Sequence, residues 1–330
     1  MAKIQPAVST ILINIPANSY SYCDLSQCAS IVNRRFYRQG LNWAVAGFRC
    51  NQKAGIGGGR FQIEKLPETW VMSNAWHKAF AMWQRQAREV LEDSGSEDTR
   101  AKFRDFKVYM DTVHVDATVD PDTGIGTQAL PIKSGGNSFL KGTSAAILTA
   151  EWDYSQVVIP NRVNADGSGS DPLTDPFVFK LHMVGAGLNP AKSLGIIDGY
   201  ENSRSVPQSP DPINPPGLDA ANDNWFNRMF DDGNANPEIL DVVTDNNDDL
   251  PYPQFPYPGG DEMGSVLQLH SHTDVTATIS AVDNSFYMPG TQVPCGLLKF
   301  TNNTDKVMEV FIDLVPGSHR GYLCEPMQEF

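Results

Sequence analysis

Met308-Glu309-Val310-Phe311-Ile312-Asp313-Leu314 alternates, with Met308, Val310, Ile312 and Leu314 on one side and Glu309 and Asp313 on the other. A strand turns successive side chains to opposite faces. This spacing therefore predicts one buried and one exposed face, as in an antiparallel sandwich. The same texture recurs through the chain. Val8 to Ile15 reads as a strand stopped by Pro16, and Trp43 to Cys50 as a second. Phe103 to Val115 reads as a third, with Tyr109, Asp111 and Val113 opposite Val108, Met110 and Thr112. Ile147 to Ile159, ended by Pro160, and Phe177 to Val184 follow. Val275, Ala277, Ile279 and Ala281 alternate with Thr276, Thr278 and Ser280. Gly, Pro, Asn and Asp split these runs, as turns require. No repeat of fixed period is visible, which argues against solenoids and propellers.

One segment breaks the pattern. Met72, Trp76, Phe80, Trp83, Ala87 and Leu91 share one stripe at helical spacing, with Ser73 as the expected N-cap and Ser94-Gly95-Ser96 as the end. Arg85 with Glu89 and Arg88 with Glu92 are i,i+4 pairs on other faces. The aromatic stripe reads as core packing. The expected fold class is thus all-β: a sandwich of two antiparallel sheets with one prominent amphipathic helix and long loops.

The 330 residues suffice to bury roughly 75% of the unfolded surface, so a large core needs no staples. We expect one domain over residues 1–330. Residues 201–262, dense in Pro, Asn and Asp, form a long acidic surface loop in this reading, pinned by Trp225, Phe226, Met229 and Phe230. The start, Met1-Ala2-Lys3-Ile4-Gln5-Pro6, lacks the apolar stretch of a secretory leader, and no run is long enough to span a bilayer. The five cysteines, Cys23, Cys28, Cys50, Cys295 and Cys324, are odd in number and include no C-x-x-C pair. They read as free, mostly buried thiols. The sequon at Asn302 is expected to stay unmodified without a leader.

Charge is unevenly spread. The net charge is −14, yet residues 1–60 hold seven basic side chains and one acidic one, Asp24, while residues 111–330 hold 10 basic and 30 acidic. Such asymmetry suits a subunit with one part toward a polyanion and another toward solvent. Arg34, Arg35 and Arg38 form the densest basic cluster, with Phe36 and Tyr37 between them. That mixture suits phosphate neutralisation plus base stacking on single-stranded nucleic acid, although three arginines also suit a salt-bridging edge. Arg49 and Arg60 join them as nucleic-acid-binding candidates.

Catalytic constellations are not evident. G-x-S-x-G, H-E-x-x-H and C-x-x-C do not occur. His270-Ser271-His272, with Asp274, would place two rings and a carboxylate on one strand face, but a polar sandwich face explains them more simply. His77 reads as a partly buried helix side chain. The glycines at 55–59 and residues 134–143 lack the order of a phosphate loop. Asp120 to Gly124 mimics the start of a calcium loop without its final Glu, and Asp245 to Asp249 reads as a solvated acidic loop. The reading is therefore non-enzymatic, with no cofactor and no metal.

Several words of the sequence carry a resemblance. Lys65-Leu66-Pro67-Glu68-Thr69-Trp70-Val71-Met72-Ser73-Asn74-Ala75-Trp76, Phe106-Lys107-Val108-Tyr109-Met110-Asp111 and Glu151-Trp152-Asp153-Tyr154-Ser155 resemble capsid proteins of small circular, Rep-encoding single-stranded DNA viruses. Asn247-Asp248-Asp249-Leu250-Pro251-Tyr252, Tyr257-Pro258-Gly259-Gly260 and Pro294-Cys295-Gly296-Leu297-Leu298 fit the same group. The resemblance implies a single jelly roll of eight strands. It further implies a structural protein that self-assembles, in about 60 copies, into a closed icosahedral shell around a circular single-stranded DNA genome. It places the protein in the virion, and in the host-cell interior during assembly, with a host attachment factor and no membrane partner. Many relatives bind the genome through an arginine-rich N-terminal arm. Residues 1–30 hold one basic residue, Lys3, so Arg34, Arg35 and Arg38 are the substitute candidates. Two other classes remain open: a lectin-like carbohydrate-binding sandwich using aromatic loops such as Tyr252 to Tyr257, and a sandwich hydrolase using Glu151 with Asp153 or Asp111.

Overall fold

In the computed structural model, residues 7–53, 58–93, 105–119, 128–132, 152–159, 177–185, 187–189, 193–205, 266–275 and 284–327 are described. Their elements run β1 (Thr10–Ile15), β2 (Ser19–Asp24), α1 (Leu25–Asn33), β3 (Leu41–Gln52), β4 (Gly59–Lys65), α2 (Trp70–Asp93), β5 (Tyr109–Asp111) and α3 (Thr112–Val119). Then come β6 (Gln156–Ile159), β7 (Phe177–Val184), β8 (Leu188–Asn189), β9 (Ser193–Gly195) and α4 (Ile196–Ser205). The chain closes with β10 (Gln268–Val275), β11 (Asn284–Val293), β12 (Leu297–Asn302), β13 (Met308–Leu314), β14 (Pro316–Gly317), β15 (Gly321–Tyr322) and β16 (Cys324–Pro326). The described residues are mostly strands in antiparallel sheets, with few helices. Two compact units form: Met1–Pro67 with Asp116–Asp153 and Leu267–Phe330, and Glu68–Val115 with Tyr154–Val266.

The first unit is a sandwich. One sheet runs β1-β13-β3-β11, with β16 pairing the start of β3, and the other runs β10-β4-β12-β2. Every ladder in both is antiparallel. Alternation drives the layering. Met308, Val310, Ile312 and Leu314 are buried while Glu309, Phe311 and Asp313 are half-exposed. Ile11, Ile13 and Ile15 point inward from β1, and Phe61 and Ile63 from β4. The two inner faces meet through rings: Phe48 of β3 lies edge-on to Phe300 of β12 at 6.2 Å, and Phe61 of β4 edge-on to Phe286 of β11 at 6.2 Å. Residues 128–132 run along one side of the sandwich. Ala129 N donates to Tyr22 O at 2.7 Å and Ile132 N to Leu12 O at 2.8 Å, so one segment occupies edge groups of both sheets. The Asn302 amide is buried and saturated. It donates to the Pro16 and Lys306 carbonyls and accepts from Thr304, so the sequon forms a turn.

The second unit is a small mixed sheet with helices. Its order is β5-β7-β9-β8, with β6 antiparallel to β7, and the β5–β7 and β7–β9 ladders are parallel. Helix α2 carries the expected aromatic stripe. Trp76, Phe80 and Trp83 stack in series and all three pack on Phe106, at 5.5–5.7 Å. Ala87 lies exposed at the far end of the stripe. The Gln86 amide pairs with both the N–H and the carbonyl of Val158 on β6, occupying that strand's free groups.

Several expectations change. The helix begins earlier than Ser73: Thr69 Oγ1 accepts from Met72 N at 3.3 Å, which makes Thr69 the cap. The long strand expected over Phe103 to Val115 is three residues of β5 followed by α3. The Asp111 carboxylate accepts from His114 N at 2.7 Å, and this local bond starts a helix where alternation predicted more strand. Over Ile147 to Ile159, strand occurs at Gln156–Ile159 among the described residues. Of the strand expected from Val275 to Ala281, Val275 closes β10, and residues 276–283 lie outside the described residues. So do residues 54–57, 120–127, 133–151 and 206–265, which hold most of the glycine-rich, calcium-like and acidic stretches. All five cysteines are free, four of them buried.

Candidate nucleic-acid interface

The Arg34–Arg38 loop is shaped by its neighbours. Asp24, at the end of β2, caps α1 by accepting from Ser26 N at 2.8 Å and Gln27 N at 3.2 Å. The helix ends at Arg34, whose φ of 54° and ψ of 38° are left-handed. A non-glycine residue there costs about 1 kcal/mol, and the chain turns sharply as a result. Tyr37 then dives inward, its N–H donating to Ser30 Oγ at 2.9 Å and its ring packed 5.9 Å from Trp43 and 5.5 Å from Tyr322. Gln39 returns to the start, donating to Asp24 Oδ2 at 3.1 Å. Trp152 Nε1 donates to the same oxygen at 3.0 Å, and its ring lies 6.0 Å from half-buried Phe36. With Asn33, Tyr37 and Gln39 tied down, Arg34, Arg35 and Arg38 all stand exposed. Arg34 and Arg38 make no ion pair among the described residues.

The remaining candidates are placed differently. Arg49, on β3, grips Asp313 with two nitrogens at 2.8 and 2.9 Å and lies over the Phe311 ring. Arg60, on β4, grips Asp274 at 2.8 and 3.4 Å. Each guanidinium is held further into its charged range by its carboxylate partner. Lys53 likewise meets Glu309 at 2.7 Å. The basic excess of residues 1–60 is thus partly cancelled by acids brought from the C-terminal half, and the cations of the loop stand apart.

A fourth arginine joins the loop, and sequence reasoning missed it. Hairpin β14–β15 presents Ser318-His319-Arg320 at its tip. The Arg320 guanidinium donates to the Phe36 carbonyl, and the Tyr37 hydroxyl donates to the Arg320 carbonyl at 3.1 Å. Pro316, Gly317 and Gly321 mark an exposed turn in the sequence, but nothing in the sequence says which loop it faces. Burial pushes the Tyr37 hydroxyl upward, against the pull of Arg35 and Arg320. Burial, then Arg320, hold the His319 ring below its usual range, so it is neutral at neutral pH. Burial pushes the Asp24 carboxyl up to about 6, although four hydrogen bonds oppose the shift.

The histidine pair does not gather a metal-like set. His270 Nε2 lies 2.9 Å from the Pro289 carbonyl, and Asp274 is engaged by Arg60. Among the described residues no group of three or more His, Cys, Asp or Glu is arranged to hold a metal ion. His182 and Ser193 form a hydrogen-bonded couple at 3.0 Å, both fully buried. No helix among the described residues is long and apolar enough to cross a membrane.

No family model matches the chain, and searches of the curated proteins and of the solved structures found no match either.

Proposed function

We propose that the chain is a coat protein with a jelly-roll sandwich, which closes into a shell of identical copies around single-stranded DNA. The observation carrying this reading is the order of strand pairing. The eight long sandwich strands, in chain order, are β1, β2, β3, β4, β10, β11, β12 and β13. The first pairs with the eighth, the second with the seventh, the third with the sixth and the fourth with the fifth. That nesting is one long antiparallel ribbon folded at its middle. Ladders β13–β3 and β12–β4 then join the ribbon to itself and make two sheets of it. Such a nested ribbon supports the jelly-roll reading, an arrangement that viral coats and some lectins use. In chain order, residues 66–267 separate the fourth of these strands, β4, from the fifth, β10.

Fold does not by itself give function. The coat-protein reading also draws on the word-level resemblance and on the exposed arginine loop. Those arginines contact the genome on the inner wall. Sedimentation velocity of the purified chain, across salt and pH, tests the assembly. Large closed particles are expected. A species that stays small in every condition contradicts the reading, and retention of that small species on immobilised glycans would favour a lectin instead.

A further inference from the structure

Arg320 lies 284 residues from Phe36 in sequence, yet its guanidinium bonds the backbone of the arginine loop. We propose that Arg320 contacts nucleic acid directly, forming with Arg35 a two-armed cradle for one backbone phosphate of a single strand, with the adjoining base against Phe36. The proposal rests on the nucleic-acid reading of the loop and adds a residue and a stoichiometry to it.

Three observations carry it. First, Arg35 and Arg320 are neighbours: both stand exposed beside the buried Tyr37, whose hydroxyl feels both charges and donates to the Arg320 carbonyl at 3.1 Å. Second, Arg320 is exposed and held from both ends: its backbone is left-handed at φ 52°, its carbonyl accepts from Tyr37, and its guanidinium donates to Phe36. A guanidinium has five N–H donors in a rigid fork, so donation to Phe36 orients it while leaving donors for a phosphate. Third, no carboxylate pairs with Arg320 among the described residues, unlike Arg49 and Arg60. Phe36 supplies a π-face beside these charges, backed by Trp152. Charge plus an aromatic platform is how sequence-tolerant single-strand sites are built.

The test measures binding of a labelled oligo-dT to the full-length protein by fluorescence anisotropy from about 50 to about 200 mM salt. Both arms are needed to hold the phosphate, so Arg320→Gln should weaken binding several-fold at low salt and lower the slope of log affinity against log salt by about 0.7, one phosphate's share on a single strand. Arg320→Lys should keep the slope. The triple Arg34, Arg35 and Arg38 alanine variant should lower it by about 2. Arg85→Gln, on α2 and engaged by Glu89, should leave it unchanged. Arg320→Gln with the wild-type slope overturns the proposal even if affinity falls, because Arg320 would then only hold the loop. Wild-type protein that ignores the oligonucleotide overturns both this proposal and the nucleic-acid reading beneath it. A second measurement needs no variant: phenylglyoxal footprinting of the wild type should show Arg320 protected by bound oligo-dT, and equal modification with and without it contradicts the cradle.

Discussion

The two units manage the same problem, the free groups of a sheet edge, at different scales. In the sandwich unit a separate stretch of chain, 128–132, bonds edge strands of both sheets through Tyr22 and Leu12. In the second unit one side-chain amide, Gln86, takes the free groups of β6. Their cores differ in parallel. The sandwich buries long strands against each other, with Phe48, Phe61, Phe286 and Phe300 interlocked. The second unit packs short strands and a helix whose stripe is buried at Met72 and Trp76 but only half-buried at Phe80 and Trp83. Stability in the sandwich is thus spread over many long-range contacts. In the second unit the buried side chains come from the first turns of α2, from Phe106 and from short strands and α4, among them Leu181, Met183 and Ile196.

Truncation is the most severe way to break that contrast. Phe300→Ala, at the centre of the sandwich, should cost about 3–5 kcal/mol in urea unfolding. Phe80→Ala, half-buried on α2, should cost about 1–2 kcal/mol. Equal losses would mean that the two cores are equally dense.

Asp24 gives the next largest effect. Its folded carboxyl is raised from 3.8 to about 6 by burial, so the folded state binds a proton that the unfolded chain has shed across that window. Stability from this group is therefore greatest below about pH 4 and falls as pH rises to about 6, by about 3 kcal/mol in all. The neighbouring Cys28 and Cys295 thiols are pushed upward, partly by Asp24 itself, and stay neutral throughout. Asp24→Asn keeps a capping oxygen but removes the titration, so its urea midpoint should lose this pH dependence. An unchanged slope in the variant assigns the proton elsewhere.

Smaller changes sharpen the comparison. Thr69→Ala removes the α2 cap and should cost about 1 kcal/mol by thermal melting. Arg49→Gln breaks an exposed pair with Asp313 on the sandwich and should cost under about 1 kcal/mol, with the difference shrinking in high salt. A loss larger than the cap's would mean that the pair is shielded more than its exposure suggests.

How much of this is legible in the sequence follows from the same contrast. β13 and β7 occupy the spans that alternation marks, Met308 to Leu314 and Phe177 to Val184. A strand with one wet face writes its burial as period two. β5 does not, because Tyr109, Met110 and Asp111 are all buried and the next residues obey the Asp111 cap. α2 is readable from its 3.6-residue stripe, but its start is set by Thr69, three residues before the first stripe residue. The loop arginines are readable as a cluster. The fate of Arg49 and Arg60 is not, since Asp313 and Asp274 reach them only through strand register. Arg320 is invisible for the same reason: its partner loop is chosen by how the ribbon pairs, not by any local signal.

Assembly is the claim on which the account depends most, and electron microscopy of the purified, full-length chain in negative stain tests it most directly. Closed hollow particles of uniform diameter, built from about 60 copies, are the predicted result. A field containing only dispersed single subunits, at the salt and pH where the protein is folded, would contradict it.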